Sequence, residues 1–198
     1  GKTINVSWTD FMGNDRDVRY RVPNVNQCKE CHAAKDKITP IGPKARNLNK
    51  KFDFKEGEFN QLTYWMNRQI IDDYPMELVS PVDWTDENEN INERVRSYLD
   101  VNCGHCHSPT GNANSTGLYL HLDETRKIHL GLYKKPVATG RGSGGLKYSI
   151  VPGKPEESIL LHRMISLDPG VMMPESGRAL SHTEAVEMVR EWIMVMED

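Results

Sequence analysis

Two Cys-x-x-Cys-His units constrain this sequence more than any other feature, because together they use all four of its cysteines. The units occupy residues 28–32 and 103–107. Cysteines three residues apart on one helical turn can form thioethers to the two vinyl groups of a haem, and the next histidine is then brought beneath the iron. The sequence therefore predicts two haem c groups. The predicted thioether residues are Cys28 and Cys31 for haem 1 and Cys103 and Cys106 for haem 2, and the predicted proximal iron ligands are His32 and His107.

Two other uses of paired cysteines are less consistent with this spacing. A structural zinc bound by four thiolates usually has its Cys-x-x-Cys pairs about 15 to 20 residues apart, and the interval between Cys31 and Cys103 is far longer. A thioredoxin-like redox pair does not explain why histidine follows both units. The absence of further cysteines also argues against a disulfide framework.

The distal ligand of haem 2 is predicted to be Met173. A thioether sulfur is a common sixth ligand in electron-transfer haems, because it favours the reduced iron. Among nine methionines, Met172 and Met173 stand on a loop rich in proline and glycine before the last helix, where a ligand can reach over a haem face. We favour Met173, which directly precedes Pro174, with Met172 as the second choice.

The distal ligand of haem 1 is left open by the sequence. The Pro43 carbonyl is predicted to accept the Nδ1 proton of His32, the interaction that orients an axial histidine. The following residues 44–57 contain no methionine and no histidine, although a distal methionine is expected there. The sixth ligand of haem 1 is therefore Met66, Met76, a lysine or asparagine of this loop or a residue of the second domain, or the position is vacant.

The apolar pattern predicts a mainly α fold made of two cytochrome c-like helical haem domains with short β-strand additions. The N-terminal domain is predicted over residues 1–80 and the C-terminal domain over 81–198, because residues 74–83 are irregular and contain proline. The sequence also predicts a hairpin from residues 4–8 and 18–22, a helix from Phe59 with Met66 on its core side, and a helix leading into Cys103. Residues 111–155 are predicted to be mostly loop. A short helix is predicted over 158–165, and a last helix with a capping box over 181–184.

The remaining histidines and the glycine-rich loop offer weaker signals. His121, His129, His162 and His182 lack metal-ligand spacing and are interpreted as surface or packed residues, although His182 is worth testing as a ligand across the domain interface. Residues 140–145 lack the Gly-Lys-Ser/Thr ending of a phosphate-binding loop. A connecting loop is the simpler interpretation, and the alternative places Arg141 near a haem propionate.

Charge and hydropathy restrict the partners. The net charge is −3 and the signs are interspersed, which does not favour nucleic acid. No run of about 18 apolar residues occurs, so no membrane span is predicted. Covalent haem attachment is normally completed outside the bacterial cytoplasm, so we expect a periplasmic or cell-surface (extracellular) protein whose export signal has been removed.

Several long motifs resemble a family of bacterial di-haem c-type cytochromes of unassigned role. The resemblance covers nearly the whole chain and implies electron transfer in the periplasm or at the cell surface. Its members typically have further sequence upstream. The matching segments are residues 22–32 (Val-Pro-Asn-x-Asn-Gln-Cys-x-x-Cys-His), 41–49 (Ile-Gly-Pro-Lys-x-Arg-x-Leu-Asn), 60–65 (Asn-Gln-Leu-x-x-Trp), 98–107, 136–145 (including Gly-Arg-Gly-Ser-Gly-Gly) and 169–175 (Pro-Gly-Val-Met-Met-Pro-Glu).

These observations predict an electron carrier that relays electrons between redox partner proteins. The main alternative is a di-haem peroxidase-like enzyme, in which an open or ligand-switching haem 1 reduces a small molecule. The loop without methionine after Pro43 supports that alternative. A redox or gas sensor is a third class, but the chain contains no signalling module.

Overall fold

The computed structural model describes residues 1–10, 13–34, 37–137 and 139–197. Its helices are α1 (Val25–His32), α2 (Ala45–Leu48), α3 (Gln61–Asn67), α4 (Ile91–Asn102), α5 (Lys127–Leu130), α6 (Ile159–Ile165) and α7 (Thr183–Met194). Its strands are β1 (Thr3–Thr9), β2 (Asp15–Arg21), β3 (Ala33–Ala34), β4 (Lys37–Ile38), β5 (Lys51–Phe54) and β6 (Gly57–Asn60), paired antiparallel as β1–β2, β3–β4 and β5–β6.

The predicted fold class, mainly α with two cytochrome c-like helical domains, is wrong. The chain is 34% helical and 15% strand, with short helices and small sheets. The physical reason is that, among the described residues, only α4 and α7 continue for three turns with an apolar face against the core, while the other helices are shorter and alternate with hairpins and loops. The division into domains 1–80 and 81–198 stays a prediction.

The hydrophobic core is built from α4, α6 and α7 and lies in residues 91–198, called here the C-terminal half, whereas residues 1–90 are the N-terminal half. Asn90 caps α4 by accepting a hydrogen bond from the Asn92 N–H, and Val95 and Leu99 of that helix are almost completely buried. The predictions of a helix leading into Cys103 and of a short helix over 158–165 are confirmed. The remaining core side chains are Tyr98, Leu120, Ile150, Leu161, Met164, Ala185, Val186, Met188, Val189, Trp192 and Ile193.

The predicted capping box of the last helix is wrong. α7 begins after His182, and no side chain caps it. The Ser181 hydroxyl instead donates to the Met164 carbonyl at 3.2 Å. The Ser181 hydroxyl therefore connects the segment before α7 to the end of α6. The capping hydrogen bonds predicted between Ser181 and Glu184 do not form.

The N-terminal half buries little apolar surface. Leu62 is the one buried apolar side chain among the described residues that precede α4. The helix predicted from Phe59 begins at Gln61, because Phe59 pairs with Phe52 in the β5–β6 hairpin and the Asn60 side chain caps α3. Met66 is 36% exposed, so its predicted core position is also wrong. The β1–β2 hairpin is confirmed, and it is exposed along almost its whole length.

A polar contact ties the two halves together. The Arg46 guanidinium of α2 pairs with Asp100 of α4, and its other terminal nitrogen lies 3.1 Å from Asp123. The Asp100 carboxylate is fully buried and also accepts the Leu122 N–H at 2.9 Å. Residues 74–83 contain neither helix nor strand, as the sequence predicts.

Candidate functional site

Helix α1 carries the whole first Cys-x-x-Cys-His unit. Asn24 and Gln27 form a reciprocal capping box, with two hydrogen bonds of 3.0 Å that fix the start of the helix. Cys28 and Cys31 follow one turn apart, and His32 is the last helical residue. Cys28 is exposed and Cys31 is partly buried, so both thiols lie at the helix surface.

The ring of His32 is oriented by Thr39, and the predicted partner, Pro43, is wrong. His32 Nδ1 lies 3.2 Å from the Thr39 carbonyl oxygen. The short β3–β4 hairpin folds the chain back, so that the Thr39 N–H also donates to the His32 carbonyl at 2.7 Å. With its Nδ1 proton directed at this carbonyl, the imidazole presents Nε2 as its metal-binding nitrogen.

The second unit lies on a tight turn that continues α4. The Cys103 N–H donates a hydrogen bond to the Leu99 carbonyl at 2.8 Å. The N–H groups of Cys106 and His107 donate to the Cys103 carbonyl at 3.1 and 2.9 Å. Gly104 permits this turn, because a Cβ there would lie 2.8 Å from the Asp100 carbonyl oxygen. The fold therefore brings both cysteines and the histidine of this unit onto one turn.

Burial sets the protonation of the second unit. Burial lowers the pKa of His107 to about 4, although the nearby Leu118 backbone opposes that change. Burial also raises the pKa of the Cys103 thiol to about 12. At neutral pH, His107 is therefore the neutral imidazole that a metal requires, and Cys103 is a protonated thiol.

The structure brings the two units into contact with each other. The sulfur atoms of Cys31 and Cys106 and a ring nitrogen of His105 all lie within 4.8 Å of one another. Cys106 Sγ is also 3.7 Å from the Glu30 carbonyl oxygen. The amide of Asn112 donates to the carbonyls of Lys29, at 3.2 Å, and Glu30.

The contact couples the ionisation of the two thiols. The neighbouring Cys106 thiol, together with the His105 imidazole, lowers the pKa of Cys31 to about 4. The same contact raises the pKa of Cys106. The pair of thiols therefore retains one proton between its two sulfurs at neutral pH.

The loop that carries Met173 lies beside both units. Ser176 donates to the Glu30 carboxylate at 3.0 Å, and Glu175 lies 3.7 Å from Arg163. The Met173 N–H donates to the Arg163 carbonyl at 3.0 Å. Met172 is 7% exposed and packs inward, whereas Met173 is only partly buried. Ligation by Met173 stays a prediction.

Two other residues singled out from the sequence already have protein partners. Arg141 pairs with Asp168 at 2.8 Å, and its side chain is 69% exposed. His182 Nδ1 lies 3.1 Å from the Tyr98 hydroxyl, and its ring stacks edge-on against Trp84. These contacts favour the interpretation of His182 as a packed residue and of Arg141 as part of a connecting loop.

Sequence reasoning missed Asn112, His105 and Arg163. His105 occupies a variable position inside the second unit, where only the flanking cysteines and the following histidine attract attention. Arg163 is one of several arginines, and its position near His107 is apparent only from tertiary structure. Asn112 has no local signal, because its partners lie on α1.

No family model, curated protein or solved structure matches this chain. Membership of the di-haem cytochrome family therefore stays a prediction. Within the described ranges, no helix combines the length and the apolar character that crossing a bilayer requires.

Proposed function

We propose that this protein is a di-haem c-type cytochrome that relays electrons between redox partner proteins. The observation that carries the proposal is the arrangement of the two Cys-x-x-Cys-His units, each of which lies on a single helix or turn and which together use every cysteine. A haem c bound at such a unit supplies a one-electron iron couple. The chain itself has to attach, orient and partly cover each group.

The donor atoms of the first unit fit a haem. Cys28 and Cys31 are separated by one helical turn, which matches the spacing of the two vinyl groups, and His32 is already oriented by Thr39. Val25 and Ile38, which flank this unit along the chain, are 71% and 64% exposed. A porphyrin face offers apolar surface that such side chains can pack against.

The second unit fits a haem in a more enclosed setting. His107 is a half-buried imidazole that is neutral at pH 7, whereas the His32 side chain is exposed. Burial disfavours the extra positive charge of ferric iron, so we expect haem 2 to have the higher reduction potential. This difference gives the relay a direction, from the site at His32 towards the site at His107.

The transfer requires no acid or base from the chain, since it moves an electron and leaves every covalent bond in place. The partners we propose are other redox proteins that approach the exposed surface near α1. The proposed location is the periplasm or the cell surface, where attachment of haem c is completed.

The mass of the denatured protein tests the proposal. We expect the polypeptide plus two haems, and one haem in each of the double variants Cys28→Ala/Cys31→Ala and Cys103→Ala/Cys106→Ala. A wild-type mass equal to that of the bare polypeptide, without porphyrin absorbance, would overturn the proposal. Two low-spin haems without peroxide turnover support the carrier, whereas a high-spin signal that shifts with cyanide or peroxide favours the peroxidase-like enzyme.

The cluster of Cys31, His105 and Cys106 favours a second candidate function, a metal centre. Two thiolates and an imidazole are a common zinc ligand set, with a fourth position left for water. This function needs free cysteines, so it excludes thioethers at Cys31 and Cys106. His105→Ala discriminates between the two functions: it should abolish stoichiometric zinc in the metal-centre case and leave the haem content unchanged in the cytochrome case.

A further inference from the structure

The segments that carry the two cysteine units are held together by Asn112. Its side-chain amide lies against the last turn of α1 and donates to the Glu30 carbonyl and to the Lys29 carbonyl, which also accepts the Ala33 N–H. The chain reaches this position through a sharp turn at Gly111, where a Cβ would lie 2.2 Å from the Cys106 carbonyl. The Ala113 N–H also donates to that carbonyl at 3.1 Å. Asn112 therefore links the backbone around Cys106 to the backbone beside Cys31.

We propose that Asn112 is a positioning residue that holds the sulfurs of Cys31 and Cys106 in contact, so that haems attached to these two cysteines would be held close enough to exchange an electron directly. The inference rests on the proposed function. It adds that two haems held at Cys31 and Cys106 would form one electronically coupled pair.

The distance between the sulfurs limits how far apart the haems can lie. In a haem c, each cysteine sulfur is one bond from a carbon attached to the porphyrin edge. The Sγ atoms of Cys31 and Cys106 lie within 4.8 Å of each other, and this contact would hold the ring edges of two attached haems near each other. The exchange would move one electron from a ferrous to a ferric iron, with no proton transferred and no bond broken.

A second contact supports the same alignment. The Ser176 hydroxyl donates to the carboxylate of Glu30, which is adjacent to Cys31, at 3.0 Å. Its loop also carries Glu175, whose charge acts on Cys106. The loop after Met173 therefore contacts both units, through Ser176 at Glu30 and through the charge of Glu175 near Cys106. Together with Asn112, these contacts favour one relative position of the two units.

Electron paramagnetic resonance of the holoprotein tests the inference. In the fully oxidised wild type, we expect a spectrum that differs from the sum of the spectra of the two single-haem variants, because nearby paramagnetic irons interact. Asn112→Ala should lose this difference while retaining two haems. Asn114→Ala is the matched control, since Asn114 is an exposed asparagine on the same loop, and it should behave as the wild type.

A second measurement uses only the wild type and Asn112→Ala, so it does not depend on how the single-haem variants fold. In half-reduced wild type, the remaining ferric signal should saturate at lower microwave power than in the oxidised protein, because its ferrous low-spin neighbour no longer accelerates relaxation. Unchanged saturation, or coupling that persists in Asn112→Ala, would overturn the inference and leave the proposed function intact. A protein that carries no haem would remove both.

Discussion

Replacement of Arg46 by methionine tests how strongly the two halves of the chain are tied together. The substitution keeps the aliphatic part of the side chain and removes the guanidinium that pairs with Asp100. The Asp100 carboxylate is 0% exposed, and it would keep only the Leu122 N–H as a hydrogen-bond donor to Oδ1. Its Oδ2 atom already lacks a hydrogen-bond partner within the described part of the chain.

The magnitude follows from the burial of this pair. Removing one partner of a buried ion pair costs about 3–5 kcal/mol, because the other charge is left uncompensated. The Arg46 side chain is 18% exposed, so water can partly replace it, and we expect the lower end of that range. With an m-value of about 3 kcal/mol/M, the urea midpoint should fall by about 1 M.

Urea unfolding of the holoprotein, followed by far-ultraviolet circular dichroism, measures this change. Arg16→Met is the matched control, because Arg16 is 53% exposed and its pair with Asp10 is a solvent-screened surface ion pair that should contribute little to stability. Asp100→Asn combined with Arg46→Met should recover part of the loss, since the unpaired charge is then absent. If Arg46→Met is no more destabilising than Arg16→Met, the reasoning from burial is wrong.

Three further predictions concern the site and its surroundings. In the di-haem protein that we propose, with Met173 as the predicted distal ligand at His107, Met173→Ala should abolish the long-wavelength sulfur-to-iron absorption band and lower the potential of that haem, whereas Met172→Ala should keep the band. An unchanged band in Met173→Ala refutes the assignment. Gly104→Ala should lower the free energy of unfolding by about 1–3 kcal/mol, because the added Cβ overlaps the Asp100 carbonyl, and urea unfolding against the wild type checks this. The pKa of Glu124 is lowered from 4.5 to about 2, first by the Arg126 guanidinium, so its stabilisation is complete above pH 4.5 and is lost as the pH falls towards 2. Glu124→Gln should remove up to about 3 kcal/mol of pH-dependent stability across that window. The midpoint of thermal unfolding, measured for the wild type and the variant across the window, checks this, and an equal dependence on pH in the two proteins would contradict it.

The sequence predicted the elements whose apolar spacing is regular. Val95 and Leu99 recur on one face of α4, and the β1–β2 hairpin follows from alternation within each strand. The helix start at Phe59 was wrong because a partner on β5 draws this residue into a strand. A pairing between strands outweighed the helical pattern there.

The candidate site was predictable only within each unit. The spacing of Cys28, Cys31 and His32 identifies them as a group. The hydrogen bond from His32 to the Thr39 carbonyl instead of the predicted Pro43 carbonyl depends on a hairpin of two-residue strands, which has almost no sequence signal. The approach of Cys106 to the first unit is a tertiary contact between distant segments. A single sequence contains no pattern from which such a contact can be inferred.

The distribution of buried surface explains why these tertiary contacts matter. The N-terminal half has Leu62 as its one buried apolar side chain in the described residues, so burial of its own side chains contributes little to holding it in place. Polar contacts to the C-terminal half therefore have to position it. Arg46 reaches Asp100, three residues before Cys103, and Glu30, next to Cys31, receives both Asn112 and Ser176. Because these contacts end beside the cysteine units, the interactions that join the halves also fix the separation of the two units. A substitution that weakens a contact between the halves should therefore change the distance between the two units.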